Sequence, residues 1–215
     1  MPKGDDRVQS PSDHVRPVLD ENEYDPLEDL FVAQSARPKQ LREVNLRALD
    51  PYHRALLVID GTVTKFVEAY TLEPIEVVRI SMEERNLPVD HIWLEAPQGT
   101  RVIAREVVLQ GKYSYRVHAY ATSLIIPDRL PDQIRRGLEV DSGGIGRIIL
   151  NSRLETYREV LWYGKERPEH LPNQIQYLEN EDFISRTYRI IANHQPIMLI
   201  NEKFPTGDDA PSFHE

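Results

Sequence analysis

RVIAREVVLQGKYSYRVHAYATSLIIP, residues 101–127, reads as two strands joined by a turn. Arg101 to Leu109 is rich in β-branched residues, Gln110-Gly111-Lys112 supplies turn chemistry, and Tyr113 to Ile126 runs back until Pro127 ends the pairing. A second hairpin is expected from Phe183–Ile191 and Ile197–Phe204 around Asn193-His194-Gln195. Between and before the hairpins lie segments of helical period. Leu41, Val44 and Ala48 predict a helix from Pro38 to Leu49, and Tyr52 to Ile59 a second one, stopped by Asp60-Gly61. Thr62 stands as a cap for a helix through Tyr70, followed by a strand from Ile75 to Met82. Asp128–Leu138 and Ile145–Leu150 read as helical around the Gly143-Gly144 break, while Leu154–Tyr163 fits helix or strand. Hairpins with helices set before and between them predict an α+β fold built on an antiparallel sheet.

Period-two alternation then places the charged residues. Ile103, Arg105, Val107 and Leu109 share one strand face, and Met198, Ile200, Glu202 and Phe204 share another. Both faces are apolar apart from one charge each. If they look inward, Arg105 and Glu202 are buried on different strands of one sheet. A buried charge is costly unless paired, so a structural salt bridge is one reading. A site is the other. Arginine grips a carboxylate with a rigid fork, and a buried glutamate tends to stay protonated and able to donate.

The bulk numbers exclude several classes. The chain has 215 residues, 40% hydrophobic and 28% charged, which suits one globular domain. It has no cysteine, so disulfides, thiolate metal sites and cysteine nucleophiles are excluded. Of the net charge of −9, residues 1–29 hold nine acids against three bases and residues 206–215 three acids, so 30–205 is neutral. With no basic stripe, nucleic acid is not an expected partner. There is no apolar run long enough to span a membrane and no apolar leader, so a cytoplasmic protein is expected. The expected organisation is an acidic, disordered extension over 1–37, a folded domain over 38–205 and a disordered tail over 206–215. The seven histidines form no HxH or HxxxH pair, which speaks against a metal. His118 is left open between a satisfied histidine and a cavity role. Ser142-Gly143-Gly144 lacks the context of a phosphate loop and reads as a turn.

LLVIDGTVTKFVEAY (56–70), IAREVVLQG (103–111), ATSLIIPDRLP (121–131), GGIGRIIL (143–150) and RTYRIIANHQPIMLINEKFP (186–205) occur in this order. The ordered set resembles the chorismate lyase-like family, the 4-hydroxybenzoate synthases, and within it the chorismate–pyruvate lyases outside the ubiquinone pathway. The resemblance covers about residues 40–205. It implies an antiparallel sheet of about six strands with surrounding helices, an internal ligand cavity and helical flaps. It also implies elimination of pyruvate from chorismate to leave 4-hydroxybenzoate, with no metal and no cofactor. Residue by residue, it makes Arg105 the binder of the ring carboxylate and Glu202 the group at the ether or hydroxyl oxygen. Backbone amides near Val63 and Ile145 would help hold the carboxylate, with Arg147 and Arg153 as possible assistants. The acidic extension lies outside the family pattern, and Tyr163–Asn180 falls where its branches differ. The alternatives are an effector-type, non-catalytic binding domain of the same fold, or a homologous lyase for another enolpyruvyl or aromatic acid. A monomer or weak homodimer is expected.

Overall fold

The computed structural model describes residues 25, 27, 29–140 and 144–207. The expected disorder of 1–24 and of 208–215, and the turn at Ser142-Gly143, lie outside the described residues. Six strands form one antiparallel sheet: β1 (Ile75–Asn86), β2 (Arg101–Gly111), β3 (Val117–Ile125), β4 (Tyr157–Glu166), β5 (Phe183–Ala192) and β6 (Gln195–Pro205), in spatial order β1-β2-β3-β6-β5-β4. Both predicted hairpins are present, β2–β3 and β5–β6, and they meet along β3–β6. The first turns after Gly111 and its return strand starts at Val117, later than the Gln110-Gly111-Lys112 turn and Tyr113 start expected, because Gln110 and Gly111 still pair with β1. The ambiguous segment after Leu154 is the edge strand β4.

Four helices accompany the sheet: α1 (Pro51–Val58), α2 (Val63–Thr71), α3 (Asp132–Val140) and α4 (Ile145–Ser152). α1 starts where Asp50 accepts from the His53 amide at 3.0 Å with Pro51 at the first helical position, a cap followed by a residue already set for helix. The His53 ring ties this helix to the sheet, bridging Asp50 Oδ2 at 2.5 Å and the Pro205 carbonyl at 2.9 Å. The main core lies under the helices, where Leu57, Ile134, Leu138 and Ile148 pack on Ile103, Ile125, Met198 and Ile190. The other face, carrying Val108 and Val102, is covered by the irregular stretches around Leu94 and around Leu171–Ile175. None of the helices among the described residues is long and apolar enough to cross a membrane.

Two expectations need correction. The helix expected over Pro38–Leu49 is absent. Arg42 instead makes an isolated bridge to Lys165, and a single 3-10 turn spans Leu46–Ala48. Leu41 is held against the sheet edge, where a Cβ on Gly164 would stand 2.8 Å from the Leu41 Cβ, so tertiary contact overrides the helical spacing. The packed chain also begins before residue 38. Leu27, Phe31 and Ala33 are buried, and the Val32 and Ala33 amides donate to the Val160 and Leu161 carbonyls of β4. Its few apolar residues are enough to dock this acidic stretch.

The β5–β6 turn places both Asn193 (φ 48°) and His194 (φ 62°) in the left-handed region. That is the geometry of a two-residue hairpin turn whose second position favours glycine. His194→Gly is expected to raise stability by about 1 kcal/mol, read as a higher urea midpoint at unchanged slope.

Candidate functional site

The site is built on three neighbouring rungs of the sheet. One rung aligns Val107, Ala121, Glu202 and Arg186 across β2, β3, β6 and β5. The next aligns Arg105, Ser123, Ile200 and Tyr188. A third ends on Ile190 of β5 opposite Arg158 of β4. Arg105 and Glu202 are both buried, as alternation predicts, and line one cavity. β3 separates their strands, which sets the backbones about 10 Å apart. The side chains on β3 between them are only Ala121 and Ser123, and this leaves room above the strand.

Glu202 is held by partners that the spacing argument did not identify. Arg186 Nε donates to Glu202 Oε2 at 2.8 Å, and the Tyr188 hydroxyl donates to Oε1 at 3.1 Å. Glu202 therefore accepts a hydrogen bond at each of its two oxygens. Arg186 is fully buried and also donates from Nη1 to the carbonyls of Leu57 (3.3 Å) and Ile59 (2.9 Å), at the C-terminal end of α1. A cation suits a helix C-terminus, so one guanidinium joins β5, β6 and α1. Burial, reinforced by Glu202, pushes the Tyr188 phenol well above its usual range and keeps it a donor.

Opposite the sheet, two helix N-termini close the cavity. Val63 is the first residue of α2 and Ile145 of α4, and both line the cavity with Arg105. The first amides of a helix have no partner within it and carry the positive end of its dipole. The Thr62 side chain makes no capping bond, so it does not fill that role for α2. The two helix starts meet closely, since a Cβ on Gly146 would lie 2.5 Å from Thr62 Cγ2. Glycine there lets both amide ends approach one place, the arrangement that receives an anion.

The cavity measures about 70 Å³. It continues past Gly61, Gly146 and Arg158 into a vestibule of about 400 Å³. Arg153 lines the vestibule, whereas Arg147 is exposed and outside both spaces. His118 does not line the cavity. A β-bulge opposite Leu109–Gln110 breaks the expected alternation, and the ring lies 3.4 Å from the Tyr52 hydroxyl beside a separate cleft.

The sheet with its cavity under two helix ends is an α+β fold. Its likeness to the effector domain of PhnF from Mycobacterium smegmatis (TM-score 0.52, 13% identity, 68% of this chain and 89% of that one) shows this fold. The intact PhnF of that organism gives a TM-score of 0.54 at 12% identity, over 69% of this chain and 65% of that one. Sequence is more specific. The family model described as chorismate pyruvate-lyase Rv2949c-like matches residues 57–208, which include every site residue above. A chorismate pyruvate-lyase of Mycobacterium leprae is 31% identical over 168 residues, 77% of this chain and 80% of its own length. One of Mycobacterium tuberculosis is 27% identical over 76% of this chain and 84% of its own. The chain belongs to the Rv2949c-like chorismate pyruvate-lyase family.

Arg186→Met is expected to cost about 3–5 kcal/mol in denaturant unfolding, because it strands a buried carboxylate. Arg186→Met combined with Glu202→Gln is expected to recover part of that loss. His118 tests a second buried group. Burial, and then the nearby Arg116, pull its pKa from 6.5 to about 4. Its contribution to stability is present above about pH 6.5, where the unfolded histidine is also neutral, and is lost as pH falls towards 4. Up to roughly 3 kcal/mol of acid sensitivity in that window is expected to disappear in His118→Asn, read as melting temperature against pH.

Proposed function

We propose that this protein eliminates pyruvate from chorismate and leaves 4-hydroxybenzoate. The observation that carries the reading is a cavity where Arg105 and two helix N-termini face a buried glutamate, Glu202, across β3. The family membership supports the reaction, and the cavity supports the roles. The substrate's ring carboxylate sits between the Arg105 guanidinium and the amides near Val63 and Ile145. This sets the opposite edge of the ring, with its hydroxyl and ether oxygen, against Glu202.

Two lone-pair directions of Glu202 are taken by Arg186 and Tyr188, and the remaining ones are available to substrate. Glu202 accepts a hydrogen bond from the ring hydroxyl and takes the proton from the carbon that bears it. The electron pair of that carbon–hydrogen bond enters the ring as the bond to the ether oxygen breaks. Enolpyruvate leaves and gains a proton at its methylene carbon to become pyruvate. The ring becomes aromatic, so most of the driving force is internal to the substrate. The protein's share is orientation and stabilisation of negative charge on the departing enolate.

Incubation of the purified protein with chorismate, followed by chromatography, is expected to give 4-hydroxybenzoate and pyruvate in equal amounts. Arg105→Ala is expected to lower kcat/KM by about two orders of magnitude through loss of the charged fork. Glu202→Gln is expected to lower kcat by about two to four orders, since the amide cannot take the proton. Binding of 4-hydroxybenzoate without any turnover of chorismate would replace the lyase reading with a non-catalytic binding domain.

A further inference from the structure

Arg158 is the charged residue of the cavity wall that neither alternation nor the ring-carboxylate binding site accounts for. It stands on β4, diagonally across from Tyr188, and its side chain is 15% exposed. Its guanidinium lies 4.8 Å from the centroid of the Tyr188 ring, the same tyrosine whose hydroxyl holds Glu202. It lines both the inner cavity and the vestibule, and so marks their junction. One nitrogen, Nη1, donates to the Asp60 carbonyl and, at 3.1 Å, to Asp60 Oδ1. The Asp60 side chain is 86% exposed, so this ion pair is screened and easily exchanged. Nε of Arg158 is buried and has no hydrogen-bond partner among the described residues. A buried donor without a partner costs free energy, and an incoming acceptor removes that cost.

The chemistry of the substrate supplies such an acceptor. Chorismate carries two carboxylates, one on the ring and one on the enolpyruvyl group, while 4-hydroxybenzoate keeps only the first. Arg158 lies on the wall that the cavity shares with the vestibule, so a ring anchored at Arg105 places its enolpyruvyl arm towards the vestibule. We propose that Arg158 binds the enolpyruvyl carboxylate, with Asp60 occupying that place when substrate is absent; this rests on the lyase reading above. Arg158 then recognises substrate and not product. Once the ether bond breaks, the aromatic acid loses its second charged anchor, and the leaving enolpyruvate is held at the mouth of the cavity. The Tyr188 ring, 4.8 Å from the guanidinium, holds Arg158 by a cation–π contact.

The test compares wild type, Arg158→Gln and Arg158→Lys with chorismate, 4-hydroxybenzoate, 3-(carboxymethoxy)-4-hydroxybenzoate and the carboxamide of the last. Arg158→Gln is expected to raise KM for chorismate about tenfold or more and to leave the Kd of 4-hydroxybenzoate within about twofold. The dicarboxylate is expected to bind wild type about tenfold more tightly than its carboxamide. That difference is expected to vanish in Arg158→Gln and partly return in Arg158→Lys. Equal binding of the two analogues by wild type overturns the proposal, as does an equal loss of product and dicarboxylate affinity in Arg158→Gln. Wild type decides the matter even where a variant fails to fold. A wild type inert towards chorismate removes the lyase reading alone, since the analogue comparison still reports on Arg158.

Discussion

The contact between Arg186 and Glu202 organises the rest of the structure. The two residues face each other on one rung, and the guanidinium reaches on to the last carbonyls of α1. Where α1 ends decides where Asp60, Gly61 and Thr62 run, and so where α2 starts. The start of α2 is one wall of the anion site. A buried ion pair is weak evidence of stabilisation, because two apolar residues of the same shape would serve as well or better. Its presence is better explained by what it fixes. It holds the Glu202 carboxyl group in place between Arg186 and Tyr188, on the wall of the cavity.

The charge balance of the cavity opposes that of the chain. The net charge is −9, yet Arg105, Arg158 and Arg186 outnumber Glu202 in and around the cavity, and two helix N-termini add to them. Much of the negative charge lies in the terminal segments. Attraction of an anion is therefore decided over a few ångströms, by groups whose fields are poorly screened because they are buried. A dianion gains twice from this arrangement when its two charges meet separate arginines. In the proposed pose the edge of the ring between them faces Glu202.

Strand alternation exposed Arg105 and Glu202 because each was a single charge on an otherwise apolar face. The same pattern holds for Arg186, which shares a strand face with Ile184, Tyr188, Ile190 and Ala192 and is again a single charge among mostly apolar residues. Ser185, Arg186, Thr187 and Tyr188 are in fact all buried, because this strand is covered on both sides. Arg158 was hidden by the ambiguity of its segment, since a residue has no face until its element is known. The helix expected over Pro38–Leu49 shows the reverse error. Its spacing was real, but Leu41 and Arg42 are committed to the edge of β4, and a strand edge satisfies that backbone better than an isolated helix would. The meeting of α2 and α4 at Gly146 was out of reach, because a glycine in a sequence does not say what approaches it.

The fold by itself does not distinguish a sensor from an enzyme. The likeness to PhnF rests on 12–13% identity and concerns the arrangement of strands and helices. Any such domain that binds an organic acid needs a cation and a closed space, and Arg105 with the helix ends would suffice for that. Glu202 is the group that simple binding does not require. Placing a carboxylate, backed by its own arginine and tyrosine, against an anionic ligand weakens ground-state affinity. It becomes useful only when the ligand has a proton to lose. In the proposed reaction that cost in binding is recovered in the transition state, where the ring gives up the proton and negative charge moves out along the ether bond towards Arg158. In the proposed pose Glu202 and Arg158 stand on opposite sides of the breaking bond, an arrangement that points to catalysis more than the fold does.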